Sequence, residues 1–345
     1  MSTEKISRRR FLGVGTGVVA AAALTPAAAL GNTQSEASAT AATDPDCGPV
    51  PGGLLPRERI GIQLYTIRDQ VSSIGFAKVF EALAEMGYKE VEFAGYTQGS
   101  VGPITLEQIR QLLDDNGLRA AGSHASLTTS NVQQKLDEAQ ILGMPTIGNP
   151  TTSSSGGNSV AGWQAAAANY NQIGEACAAR GLKFYLHNHS GEFNFPQDQP
   201  VGPTRIYDIL LERTDPEKVF FEMDIYWAFV GQYRYGRSPF PTFNPLDYVM
   251  AQKDRFPLFH VKDGRSNQAA ADGYSMVDVG QGVIDFQSFF TTLDGEDRYG
   301  YLMEHDGAAS GTKGSLGSAL ASYSWMRYGL VGPPSGTLSL EGAGR

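Results

Sequence analysis

The chain has 345 residues, of which 41% are hydrophobic and 18% are charged, and its formal net charge is −9. This composition is typical of a folded globular protein and excludes a largely disordered chain. The first 29 residues carry a net charge of +3, so the rest of the chain carries −12. A protein this acidic is repelled by a phosphate backbone, and we therefore expect no nucleic-acid partner.

The N-terminus has the pattern of an export signal. The segment Ser-Arg-Arg-Arg-Phe-Leu at 7–12 precedes an apolar stretch at 14–24 and small residues at 27–29. These features predict a signal peptide over residues 1–30, whereas a membrane anchor is disfavoured because the apolar run is short and Pro26 interrupts its end. The segment resembles the twin-arginine signal. That resemblance implies the twin-arginine export machinery as a partner, a periplasmic or extracellular location, and no stable membrane anchor after cleavage.

The rest of the chain divides into a linker, one domain and a tail. Residues 31–58 are rich in Ser, Ala, Thr, Asp, Gly and Pro and have little apolar periodicity, which predicts a flexible linker. Residues 59–330 are the predicted domain, and residues 331–345 are a predicted flexible C-terminal tail.

From Ile60 onward, short apolar segments alternate with segments of helical spacing. The predicted strands are 60–65, 90–94, 119–124, 146–149, 183–187, 219–224, 256–261 and 299–304. The predicted helices are 76–86, 106–116, 132–142, 163–179, 206–211, 245–252, 285–293 and 316–328. Eight such units in about 270 residues predict an α/β fold of the (β/α)₈ TIM barrel type. A doubly wound sheet is the alternative, but no Gly-x-Gly-x-x-Gly follows the first strand.

Polar residues end the predicted strands, and in such barrels those ends share one rim. All five histidines of the chain lie at strand ends. Four consecutive strands end in His187, Asp224, His260 and Glu304. Imidazole and carboxylate together suit a divalent metal ion such as Mn, Zn, Fe or Co. A thiolate zinc site is unsupported because the two cysteines form no Cys-x-x-Cys pair.

Alternation along a strand predicts which of these side chains point inward. His187 and His189 share a face, as do His260 and Lys262. Glu304 points inward, so the next residue, His305, points outward. Asp263 is predicted to orient a ligand histidine by a hydrogen bond to the ring nitrogen that does not bind the metal.

Four strings carry a more specific resemblance. They are Leu-His-Asn-His-Ser-Gly-Glu-Phe at 186–193, Met-Asp-Ile-Tyr-Trp at 223–227, Phe-His-Val-Lys-Asp at 259–263 and Gly-Gln-Gly-Val-Ile-Asp-Phe at 280–286. In this order they are similar to the xylose-isomerase-like barrel superfamily. That superfamily includes sugar isomerases and epimerases, inosose dehydratase, 3-keto-glycoside lyases and apurinic endonucleases.

The resemblance implies a set of metal ligands and a chemistry. The ligands fall on His187, Asp224, His260 and Glu304. Ketose epimerases of the superfamily generally have Glu at the position matched to His187, so this chain keeps one catalytic carboxylate, Glu304, unless Glu192 supplies a second. Whether His187 or Glu192 is the fifth-strand ligand stays open.

We therefore expect a divalent-metal-dependent sugar isomerase or epimerase that moves a proton beside a polarised carbonyl or hydroxyl. The expected catalytic residues are Glu304, His189 and Lys262. The expected contacts to a small-molecule sugar or sugar derivative are His124, Trp227, Glu192 and Arg265. A metal-dependent lyase or hydratase acting on 3-keto-glycosides or inosose-like substrates is the first alternative, because elimination needs one base. A non-catalytic sugar-binding barrel is the second, and a nuclease is disfavoured by charge and export.

Two further features leave alternatives open. The segment 228–244 is rich in aromatic residues and is interpreted either as a lid over the barrel mouth or as a loop packed on itself. Glu92, at the end of the second strand, is interpreted either as a contact to substrate hydroxyls or as part of a salt bridge at the rim.

Overall fold

The computed structural model describes residues 55–293 and 296–329. The predicted signal peptide, most of the predicted linker and the C-terminal tail lie outside this range. Leu55, near the end of the predicted linker, is buried against the core. Within the described ranges, none of the helices combines the length and the apolar character that a bilayer crossing requires.

Residues 55–293 and 296–329 form ten strands, eight of which build one parallel sheet. They are β1 (Ile60–Gln63), β2 (Glu90–Phe93), β3 (Arg119–Ser123), β4 (Thr146–Asn149), β5 (Lys183–His187), β6 (Val219–Asp224), β7 (Leu258–Val261), β8 (Asp263–Ser266), β9 (Tyr274–Val277) and β10 (Gly300–Met303). The order in the sheet is β3-β2-β1-β10-β7-β6-β5-β4. A parallel bridge between His124 and Gly148 joins the two outer strands, β3 and β4, so the sheet closes into the predicted TIM barrel.

The described residues form nine helices, of which eight lie in connections between strands and the ninth follows the last strand. They are α1 (Arg68–Met86), α2 (Leu106–Asp115), α3 (Val132–Leu142), α4 (Val160–Ala178), α5 (Ile206–Arg213), α6 (Ile225–Tyr235), α7 (Pro245–Ala251), α8 (Phe286–Leu293) and α9 (Gly314–Ser324). Strands and helices alternate as the sequence predicts. The antiparallel hairpin of β8 and β9 is an addition that the sequence pattern does not indicate.

Local sequence explains where these helices begin and end. Thr105 caps α2, because its side chain accepts from the backbone N–H of Gln108 while the Gln108 side chain accepts from the N–H of Thr105. Gly87 ends α1 in the left-handed region, with φ of 103°, a conformation that favours glycine. Such definite ends position the strand that follows each helix, and therefore the rim residues at its carboxyl end.

The aromatic segment 228–244 is partly helical, which corrects its interpretation as a loop throughout. Helix α6 covers its first half. Asp224 caps the start of that helix, since its side chain accepts from the N–H of Trp227. Phe243, in the second half, stacks on Phe193 with ring centroids 5.1 Å apart, and the Arg205 guanidinium lies 4.4 Å from the Phe243 ring centroid. These contacts favour the self-packed alternative for that half.

Candidate metal and substrate site

Four buried side chains meet at the carboxyl ends of adjacent strands. His187 and Asp224 are the last residues of β5 and β6, His260 lies in β7, and Glu304 directly follows β10. Each offers one ligand atom, and these atoms all lie within 4.8 Å of one another. None of the four residues is more than 5% exposed. The structure thus brings together the four residues that the resemblance implies as ligands.

His187 presents a lone pair to the centre of this group. Its Nδ1 lies 2.9 Å from the carbonyl oxygen of Pro150, which can only accept, so Nδ1 carries the proton. Burial lowers the pKa of His187 to about 3, so the ring is neutral. The deprotonated Nε2 then faces Asp224 Oδ2 at 3.2 Å. Two acceptors at this distance repel each other unless a cation lies between them.

His260 and Glu304 form a similar pair. His260 Nδ1 lies 2.7 Å from Glu304 Oε2, and both atoms are buried. Despite this distance, neither atom has a partner with hydrogen-bond geometry among the described residues. The two atoms converge on a common point, which is the arrangement expected of two ligands of one ion.

Lys262 supplies positive charge beside the two carboxylates. Its Nζ lies 2.9 Å from Asp224 Oδ2, 2.7 Å from Glu304 Oε2 and 3.1 Å from Asp306 Oδ1. Although burial opposes the charge, the carboxylates of Asp224 and Glu304 raise the pKa of Lys262 well above its ordinary value. In turn Lys262 is the main reason why the pKa values of Asp224 and Glu304 lie well below theirs, against the effect of burial.

A second polar layer lies inside the barrel beneath these residues, and we call it the lower layer. It consists of Gln63, Glu92, His124, Tyr185 and Glu222. His124 Nε2 lies 2.8 Å from Glu222 Oε2 and 3.5 Å from Glu92 Oε1. His124, Glu222, His187 and His260 also form a second group in which four ligand atoms lie within 4.8 Å.

Glu222 is absent from the site predicted from the sequence, and Glu92 lies deeper in the barrel than the rim salt bridge predicted for it. Glu222 lies two residues before Asp224 on β6, so the alternation that oriented Asp224 also places Glu222 inside the barrel. Glu92 is fully buried. A rim salt bridge is therefore the wrong interpretation for it, because the side chain contacts histidines inside the barrel and not solvent.

Three of the predicted substrate and catalytic residues lie on one side of the cluster. The ring of His189 lies 5.0 Å from that of His187 and 5.5 Å from that of Trp227. Glu192 is buried beneath them: its Oε1 accepts from Thr152 Oγ1 at 2.7 Å and its Oε2 accepts from the N–H of His189 at 3.0 Å. Glu192 therefore holds the turn that carries His189, and both of its oxygens are engaged.

Arg265 and Asp263 lie on the hairpin side, apart from this group. Arg265 is exposed, and its Nε donates to the carbonyl of Gln281 at 2.6 Å. Asp263 accepts from the backbone N–H groups of Gly264, Gly280 and Gly282 at 2.8 to 3.0 Å. The prediction that Asp263 orients a ligand histidine is wrong, because its carboxylate instead holds the loop at 280–284.

His305 takes the outward position predicted for it. Its backbone N–H donates to Thr66 Oγ1 at 3.1 Å, and its Nδ1 accepts from the N–H of Gly307 at 3.1 Å. Its described hydrogen bonds are therefore with the loop around it.

The donor set fits a divalent transition-metal ion. Two imidazoles and two carboxylates from four strands make a mixed N and O set of the kind that Mn, Zn, Fe and Co accept. The set is buried, and the facing atoms His187 Nε2 and Asp224 Oδ2 suit a cation held between them. The residues present thus match the cofactor that the sequence predicts, without distinguishing among the four metals.

Comparison with known proteins places this site in a family. A family model for the xylose isomerase-like TIM barrel matches residues 80–312. This range includes all four residues of the cluster. The chain belongs to this family. Members are barrels of the kind described above, and the match confirms both the predicted fold and the resemblance drawn from the four strings.

Solved structures extend the likeness of this xylose isomerase-like barrel. A sugar phosphate isomerase/epimerase from Parabacteroides distasonis ATCC 8503 matches with a TM-score of 0.61 and 23% identity over 79% of this chain and 95% of that one. The probable 3-DHS dehydratase of Bacillus anthracis matches with a TM-score of 0.55 and 16% identity, over 78% of this chain and 98% of that one. An L-ribulose 3-epimerase matches with a TM-score of 0.55 and 12% identity, over 79% of this chain and 94% of that one. At these identities the likeness concerns the fold. Among curated proteins, no sequence matches significantly.

Proposed function

We propose that this xylose isomerase-like barrel is a divalent-metal-dependent enzyme that isomerises or epimerises a sugar or sugar derivative. The observation that carries the proposal is the pair of acceptors, His187 Nε2 and Asp224 Oδ2, which face each other at 3.2 Å inside the cluster. The family match and the structural likeness to a sugar phosphate isomerase/epimerase support a sugar as the substrate class.

The ligand set and the residues beside it divide the chemistry. A divalent ion held by His187, Asp224, His260 and Glu304 would polarise a carbonyl or hydroxyl oxygen and acidify the neighbouring C–H. Glu304, kept ionised by Lys262, accepts the proton from carbon.

Lys262 and His189 serve the oxygen atoms of the substrate. The Lys262 ammonium stabilises negative charge that develops on oxygen, because it is buried and its charge is poorly screened. His189 returns or removes a proton on the Trp227 side, where the indole ring offers a flat surface for a sugar. His124 lies beside the cluster, with its ring centroid 4.9 Å from that of His187, and this position supports a contact from His124 to substrate oxygen.

Elimination is the second candidate reaction, and the position of Glu192 favours it. Two-base epimerisation requires a second carboxylate opposite Glu304, but both oxygens of Glu192 accept hydrogen bonds from Thr152 and His189. One carboxylate base with an acid such as His189 is sufficient for a lyase or hydratase. The keto-glycosides are the matching substrate class.

Incubation in D₂O distinguishes these reactions. The protein, loaded in turn with Mn, Zn, Fe and Co, is incubated with a panel of ketoses and 3-keto-glycosides. Isomerisation or epimerisation gives deuterium at the carbon beside the carbonyl in a product of unchanged composition. Elimination gives an unsaturated product that has lost water or an alcohol. Tight sugar binding with no exchange under any metal would instead support a non-catalytic binding barrel.

We also propose that the protein is exported through the twin-arginine machinery and is periplasmic or extracellular. The proposal rests on the sequence at 7–12 and the apolar stretch after it. Replacing both Arg8 and Arg9 by lysine should retain the full-length precursor in the cytoplasm, and N-terminal sequencing of the exported protein should find cleavage near residue 30. Unchanged export of the double variant would contradict this route.

A further inference from the structure

The lower layer holds a carboxylate directly behind one of the proposed metal ligands. Glu92 Oε2 lies 2.7 Å from His260 Nε2, the ring nitrogen opposite the one that faces Glu304. Both side chains are fully buried. A carboxylate only accepts when ionised, so His260 Nε2 is the donor in this contact.

Other contacts fix Glu92 in place. Gln63 Nε2 donates to Glu92 Oε2 at 2.8 Å, and the Tyr185 hydroxyl donates to Oε1. Gln63 is held in turn, because its Oε1 accepts from the N–H of Tyr65 at 3.1 Å. These donors, from β1 and β5, leave the Glu92 carboxylate little freedom to move away from the His260 ring.

Glu222 also approaches His260 Nε2, and its geometry excludes it as the partner of that nitrogen. Glu222 Oε1 lies 3.2 Å from His260 Nε2 but has no partner with hydrogen-bond geometry among the described residues. Its other oxygen, Oε2, is engaged with His124 at 2.8 Å. Glu92 is therefore the carboxylate that receives the His260 proton.

We infer that Glu92 is a positioning residue for the metal site: it holds the proton of His260 on Nε2 and so directs the Nδ1 lone pair at the point shared with Glu304 and Asp224. The inference rests on the proposed function, because it concerns how a proposed ligand is prepared for a metal. Carboxylates behind ligand histidines fix the tautomer and ring orientation and increase the basicity of the ligand nitrogen. Glu92 acts only through His260 and is not itself a ligand in either group of clustered residues.

Strand β2 offers a matched control for this role. Glu90 is a second buried glutamate two residues earlier on the same face, and its Oε1 lies 2.6 Å from Arg59 Nη1 and 3.4 Å from Arg119 Nη2. Its described contacts lie away from the cluster. Glu90→Gln therefore reproduces the loss of a buried charge from β2 without affecting His260.

The experiment measures zinc affinity of the full chain by competition with a chromophoric chelator. Glu92→Gln should weaken zinc binding by roughly tenfold to a hundredfold, whereas Glu90→Gln should leave it unchanged. Equal affinity in wild type and Glu92→Gln would overturn the inference and leave the proposed function standing. Absence of zinc binding by the wild type would overturn both.

A spectroscopic measurement on the wild type decides the matter if Glu92→Gln does not fold. The chain has five histidines, so ¹⁵N-histidine labelling gives ten ring nitrogens, and His260→Gln identifies the two of His260. In the zinc-loaded protein, ¹H–¹⁵N correlation should show the Nε2–H proton of His260 shifted strongly downfield by its hydrogen bond to the Glu92 carboxylate. An Nε2–H that exchanges rapidly and resonates like that of a solvated imidazole would refute the role of Glu92.

Discussion

The pKa values of two glutamates on strand β2, Glu90 and Glu92, are shifted in opposite directions although only one residue separates them. For Glu90, burial outweighs the nearby Arg59 and Arg119 guanidinium groups, and its pKa is raised. For Glu92, burial would also raise the pKa, but the enclosed imidazoles of His124 and His260 lower it to about 2.

The exposure of the partners explains this contrast. The arginine side chains near Glu90 are 29% and 51% exposed, so water screens their charge, whereas the hydrogen bond between His260 and Glu92 is fully buried. Glu90, at the N-terminal end of β2, therefore contributes to structure, while Glu92, nearer the carboxyl end, keeps its charge beside the proposed ligand His260. The predictions below test this contrast between the residues around the cluster and those away from it.

Lys262→Met should have the largest effect. It removes the ammonium that stabilises charge on substrate oxygen, and activity should fall by about 10² to 10⁴-fold. Metal affinity should stay the same or increase, because Asp224 and Glu304 lose a competing cation. Activity and metal content are measured together, with Lys313→Met, an exposed lysine paired with Asp278, as the control. A parallel loss of metal would contradict the separate role of Lys262.

His187 should make the metal-stripped protein sensitive to acid. Its pKa is about 3 when folded and 6.5 ordinarily, so between these values the unfolded chain takes up a proton that the folded one does not. Stability should therefore fall as the pH drops from about 6.5 to 3, by roughly 1 kcal/mol per pH unit from this group. Urea unfolding across this range should give a shallower slope for His187→Gln, which keeps a donor for Pro150. Identical slopes would show that His187 is not held neutral.

Thr152→Val tests the support beneath His189. The substitution leaves Glu192 Oε1 buried without its donor, and the free energy of unfolding should fall by about 1 to 2 kcal/mol. Thr151→Val, at the exposed neighbouring position, should have little effect. Metal content should not change in either variant, and its loss from Thr152→Val would indicate that Glu192 is a ligand after all.

Glu90→Gln should have the smallest effect. Burial already disfavours the ionised form of Glu90, and its partners Arg59 and Arg119 are exposed enough to be hydrated without it, so loss of its charge should change the free energy of unfolding by less than about 1 kcal/mol. Chemical denaturation measures this change. A loss of several kcal/mol would mean that the charge of Glu90 is essential for the stability of its end of the barrel.

The sequence predicted the barrel well where hydrophobic runs end abruptly. The bounds of β4, β5 and β6 agree with the predicted strands residue for residue. The predicted first strand, 60–65, is longer than β1, which ends at Gln63. Leu64 is buried in a 3₁₀ helix, as it would also be in a strand. Hydrophobicity alone does not distinguish these two conformations.

Missed elements have equally definite causes. Helix α6 escaped notice because its many aromatic residues obscure the helical period. The hairpin of β8 and β9 is partly exposed and lacks the alternation of a half-buried strand.

The candidate site divides in the same way. The residues at strand ends, such as His187 and Asp224, were predictable because each strand ends on a polar residue. The contacts of Glu92 were not, since they come from β1, β3, β5 and β7 and depend on how the closed barrel brings distant strands together. Glu222 lay within reach of the alternation rule, but a single glutamate inside an apolar strand does not by itself indicate a function.

The central claim is that His187, Asp224, His260 and Glu304 together hold one divalent metal ion. The most direct test is elemental analysis of the protein purified without chelators, beside the double variant Asp224→Ala, Glu304→Ala. We predict about one Mn, Zn, Fe or Co ion per wild-type chain and loss of that ion in a double variant that remains folded. Absence of metal from the wild type, even after incubation with excess ions, would contradict the claim.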